Sequence, residues 1–99
     1  MVNVTLIARD DGKEGYGNGL TLIQVLPDTV LLQKDDTFTI LNPGKHEIHT
    51  TSDYAWLEET TPTNGDIELG PAQGSPKQEF KYTIHVKDIG ELDPRVRMK

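Results

Sequence analysis

Between Glu79 and Lys87 the side chains alternate without interruption: Phe80, Tyr82, Ile84 and Val86 fall on one side of an extended chain, and Glu79, Lys81, Thr83, His85 and Lys87 on the other. Only a β-strand, whose successive side chains point to opposite faces, turns that pattern into one apolar face and one wet face. A single strand cannot bury its apolar face alone. The rest of the chain must therefore supply a sheet for it to pack against.

That rest is cut to strand length. Val2, Val4, Leu6 and Ala8 alternate with Asn3 and Thr5, and the pattern is broken only by Ile7. The apolar run from Leu20 to Leu26 is stopped by Pro27-Asp28, and the run from Thr29 to Gln33 by Lys34-Asp35-Asp36. A fourth strand follows from Thr37 to Leu41 and ends at Asn42-Pro43-Gly44. Residues 46 to 57, with their threonines, Tyr54 and Trp56, suit one or two further strands. Turn residues dominate 58 to 78, which reads as a long loop containing a short strand at Asp66 to Leu69. From Leu92 to Met98 alternation returns, Val96 and Met98 opposing Arg95 and Arg97, as in a closing edge strand.

Residues 10 to 19 pack four glycines among charged residues and predict an exposed connection. No window of eleven or more residues carries a capped apolar period of 3.6, and there is no internal repeat. Ninety-nine residues have room for one domain, spanning 1 to 99. Many short strands with frequent turns predict an all-β fold, a Greek-key β-sandwich.

The stretch Leu26-Pro27-Asp28-Thr29-Val30-Leu31-Leu32-Gln33-Lys34-Asp35-Asp36-Thr37-Phe38-Thr39-Ile40-Leu41-Asn42 resembles the second and third strands of the cupredoxins. The shared pattern is proline, a strand, a Gly-Asp turn, a strand and an asparagine. Asp35 stands where that family usually has glycine, and aspartate can visit the left-handed conformation that such a turn needs. Phe80-Lys81-Tyr82-Thr83-Ile84 resembles the aromatic strand that leads to the family's copper-binding cysteine, and the final segment resembles the strand that closes its sandwich. The resemblance implies a cupredoxin-like sandwich but not its blue-copper chemistry, which needs two histidines and a cysteine thiolate. The chain has no cysteine, Ile84 occupies roughly that position, and His46, four residues after Asn42, is the one histidine at a family ligand position. Electron transfer is not carried over, and no cofactor is expected.

A different metal site can be built only from His46, His49 and His85, the three histidines of the chain. His46-Glu47-Ile48-His49 offers two imidazoles and a carboxylate, yet residues three apart on a regular strand face opposite ways. Weak copper or zinc binding by these histidines competes with a reading in which they are solvated surface residues. Two methionines are too few for a methionine-rich copper carrier.

Other chemistry finds little support. The two serines, Ser52 and Ser75, lie outside any Gly-x-Ser-x-Gly elbow, and Glu58 and Glu59 are adjacent, so their carboxylates diverge. The acid pairs lack the spacing of a calcium loop. Gly12 to Gly19 lacks the lysine-serine ending of a phosphate cradle. These absences point to a protein that is not an enzyme.

Sixteen acidic against ten basic residues give a net charge of -6, which repels phosphate backbones and anionic membranes, so neither nucleic acid nor membrane is expected as a partner. The basic cluster Arg95, Arg97 and Lys99 balances an acidic body or meets an acidic partner. Met1 to Asp10 has neither a basic start nor a long apolar stretch, so no secretory signal is expected in this chain, and no apolar run approaches membrane-spanning length. Tyr54 and Trp56, two residues apart, place two rings on one strand face, where they either fill the core or stack on a sugar or another protein. The sequence thus predicts a non-catalytic binding or structural module.

Overall fold

The computed structural model describes residues 2 to 10 and 21 to 99. The glycine-rich connection, with its rejected phosphate cradle, lies outside the described residues from Asp11 to Gly19. Eleven strands are described: β1 (Val2–Asp10), β2 (Thr21–Leu26), β3 (Thr29–Leu32), β4 (Phe38–Leu41), β5 (Ile48–Thr51), β6 (Glu59–Thr63), β7 (Ile67–Leu69), β8 (Glu79–Lys81), β9 (Thr83–Val86), β10 (Gly90–Leu92) and β11 (Arg95–Met98). One 3-10 turn, Ala55–Leu57, separates β5 from β6.

These strands make an all-β sandwich. One sheet runs β2-β1-β4-β7, with β1 antiparallel to β2 and parallel to β4. The opposing layer consists of β10-β9-β5-β6 and β3-β11-β8. Its two parts are joined along one line of chain, because β8 and β9 are separated only by Tyr82, whose N–H donates to the Pro94 carbonyl. The chain passes between layers after Leu26, where Pro27-Asp28 ends β2 and β3 begins beside β11.

The alternation from Phe80 to Val86 survives this change of partners. Phe80, Tyr82, Ile84 and Val86 are all buried. They meet Val4 and Leu6 of β1, Phe38 and Ile40 of β4, Ile48 of β5 and Val96 and Met98 of β11 in one core cluster. Phe38 and Tyr82 pack ring against ring at 5.7 Å. Burying side chains of this size contributes about 1.5–3 kcal/mol each before the entropy cost of ordering them.

At the turn after β3, Asp35 adopts φ 72, the left-handed conformation expected of it. Its N–H donates to the Ala72 carbonyl at 2.8 Å, and Asp36 closes the turn by accepting from the Gln33 N–H at 2.9 Å.

Three expectations are corrected. β11 is central, lying between β3 and β8, and is not an edge strand; Pro94, which has no N–H to give, precedes it and leaves its ladder intact. The loop expected over 58 to 78 contains β7 but also β6, whose residues are exposed except for the half-buried Thr63, so no apolar alternation announces it. Tyr54 and Trp56 do not lie on a strand: Leu57 donates to the Tyr54 carbonyl and coils the chain into the 3-10 turn.

Candidate functional site

Two clusters on the surface gather the residues that carry chemistry or contact. The first is aromatic. Ser52 stands between β5 and the 3-10 turn; its hydroxyl donates to the Lys81 carbonyl at 2.8 Å and accepts from the Tyr54 N–H at 3.2 Å. That tether brings the turn over β8, where Tyr54 and Trp56 each meet Phe80 edge to face, at 4.7 Å and 5.2 Å. Phe80 is 4 % exposed, Trp56 is half-buried against the core, and Tyr54 is 39 % exposed.

Between these rings and Gln73, Gly74 and Gln78 lies a groove of about 400 Å³. Gly74 is needed there because a Cβ would lie 2.5 Å from Cζ of Phe80, and its φ of 137 is unsuited to other residues. Gln78 Oε1 accepts from the Ser75 N–H at 2.9 Å, which orders the adjoining loop. The groove therefore presents aromatic surface with amide groups at its border.

The second cluster centres on histidine. His49 of β5 and His85 of β9 are directly opposite in antiparallel register, and their rings stack at 4.4 Å with planes 6° apart. His85 Nε2 is 2.8 Å from the Thr51 hydroxyl, and His85 Nδ1 is 3.2 Å from Glu91 Oε2. The pair faces a cavity of about 580 Å³ that also touches Glu47 and Lys87, themselves 3.7 Å apart.

His46 belongs to neither cluster. It sits in the turn after β4 with its ring against Gly44, where a Cβ would come within 2.6 Å of Nε2. Among the described residues, no group of three or more histidine, aspartate or glutamate side chains is already arranged to hold a metal ion. Ile84, 0 % exposed, fills its place in the core with hydrocarbon.

The sequence reading missed Glu91 and Thr51 as neighbours of His85. A signal was present: Lys87-Asp88-Ile89 is a hairpin turn leading into Gly90, with Asp88 at φ 64 and Gly90 at φ 150, and folding it places Glu91 opposite His85. Among the described residues, no helix is long and apolar enough to cross a membrane. No protein-family model matches the chain, and no curated protein matches it significantly in sequence.

Proposed function

We propose that this chain is a non-catalytic binding module on a copper-free, cupredoxin-like Greek-key sandwich, and that another protein is its partner. Support for the family reading comes from the Asp35 turn between β3 and β4, from Asn42 directly after β4, and from the aromatic strand that buries Ile84 where a thiolate ligand would stand. The observation that carries the binding role is the groove at Tyr54, a residue that remains exposed while its ring packs edge to face on Phe80, the same ring that Trp56 meets. Aromatic side chains so fixed lose little entropy on contact and dominate many interfaces.

A photoreactive residue at Ala55 tests this by capturing the bound protein, which is then purified and titrated. Its affinity should fall at least tenfold in Tyr54→Ala and Trp56→Ala and stay unchanged in Leu31→Ser, which lies outside the groove. Equal affinity across all three variants would remove the groove from the interface. A second reading, weak copper or zinc binding by surface histidines, is favoured by the meeting of His49 and His85.

A further inference from the structure

We propose that His49, His85 and Glu91 form a binding site for one divalent transition-metal cation, Cu(II) ahead of Zn(II), on the outer face of β5, β9 and β10. The proposal rests on the second reading above and replaces its ligand set, leaving His46 out.

The gap between His85 Nδ1 and Glu91 Oε2 is 3.2 Å. Metal–nitrogen and metal–oxygen bonds of about 2.0–2.2 Å, meeting at about 100°, span a gap of that size. The other nitrogen of His85 lies 2.8 Å from Thr51 Oγ1. With the Nε2–H donating to that hydroxyl, Nδ1 carries the free lone pair and the ring is held in ligating orientation, as an outer partner does in metal sites.

His49 supplies the third group. Cross-strand partners in antiparallel sheets have Cβ atoms about 4.5–5.5 Å apart, within the span that two imidazoles bridge through one ion. Stacked rings keep their lone pairs in separate parallel planes, so His49 must turn about its side-chain torsions for both to reach one ion. It is half-buried at the border of an open cavity, with room for that movement. Imidazole nitrogen with a single carboxylate suits Cu(II) and Zn(II), and Cu(II) binds such sets more tightly. Water completes the coordination. The nearest cation in the cavity, Lys87, is paired with Glu47 at 3.7 Å.

The test is titration of the metal-free full chain with Cu(II) and, separately, Zn(II), followed by calorimetry and imidazole NMR. One saturable equivalent is expected, with Zn(II) shifting His49 and His85 signals and leaving those of His46 in place. His49→Gln and His85→Gln should each weaken binding at least tenfold, Glu91→Gln several-fold, and His46→Gln not at all. Binding that survives the double variant His49→Gln/His85→Gln would overturn this site. Loss of binding in His46→Gln alone would also overturn it while sparing the weak-metal reading, and no saturable binding in the unaltered chain would end both.

Discussion

Asn42 grips His46 through both polar groups of its backbone: Nδ2 donates to the His46 carbonyl at 2.7 Å, and the His46 N–H donates back to Oδ1 at 3.2 Å. Nδ2 also lies within 3.3 Å of the Asn64 carbonyl and 3.2 Å of the Gly65 carbonyl, so one buried amide joins the turn after β4 to the turn between β6 and β7. Asn42→Ala leaves these groups without their partner and should destabilise the fold by about 1–3 kcal/mol. Urea unfolding measures it, and an unchanged midpoint would show that the grip contributes nothing.

Thr50 should behave similarly for a different reason. Its buried hydroxyl donates to the Leu57 carbonyl at 3.0 Å and accepts from the Glu59 N–H at 2.8 Å, fixing both ends of the link from the 3-10 turn into β6. Thr50→Val keeps the shape and removes both bonds. A loss of about 1–3 kcal/mol is expected, with hydrogen exchange at Glu59 accelerated. Unaltered exchange there would sever Thr50 from the ordering of β6.

Tyr82 presents the opposite case. Its hydroxyl is buried and finds no hydrogen-bond partner among the described residues. Tyr82→Phe should therefore be neutral or stabilise by up to about 1–2 kcal/mol. Burial, with Asp28 adding to it, raises the phenol well above its ordinary value of 10.0. The unfolded chain then loses this proton first as pH rises, so the contribution is fully present below about pH 10 and declines above it by about 1.4 kcal/mol per pH unit. Denaturation midpoints between pH 9 and 11 should fall less steeply in Tyr82→Phe. Parallel curves for the two proteins would contradict the assignment.

Backbone conformation gives a fourth contrast. Asp35→Gly should change stability by less than about 0.5 kcal/mol, while Asp35→Ala, which must hold φ 72 with a residue that visits the left-handed region less readily than aspartate, should cost about 1 kcal/mol. Thermal unfolding of the pair decides it. Equal midpoints would mean that the left-handed turn imposes no preference.

Gly74→Ala should displace Phe80 and, with it, the groove. Its added methyl meets the Phe80 ring at 2.5 Å, so a stability loss of about 1–3 kcal/mol is expected together with a change in Trp56 fluorescence. An unchanged emission spectrum would show that the rings move independently.

Much of the fold was legible because burial imposes period two on any strand with one face in the core. Phe80 to Val86 and the stretch around Val96 announced themselves in that way, while the strands around Val30 and Ile40 showed as apolar runs cut to length by turn residues. β6 did not, since Glu59 to Pro62 face solvent on every side and need no pattern, and the central place of β11 depends on pairing that local sequence does not encode. At the candidate sites, Tyr54, Trp56, His49 and His85 were visible as residue types. Their company was not: the stacking of His49 on His85 follows from the register of β5 on β9, and Tyr54 reaches Phe80 through a turn held by Ser52.

The central position of β11 bears on how the chain is made. Without Arg95 to Met98, β3 and β8 would have no strand between them, and each would keep a row of unpaired amides and carbonyls. The nascent chain can close β1 on β2 and β4 early, but this half of the second layer waits for its last strand. A stalled or clipped product ending before Arg95 would expose two sticky borders and depend on chaperones to stay out of aggregates.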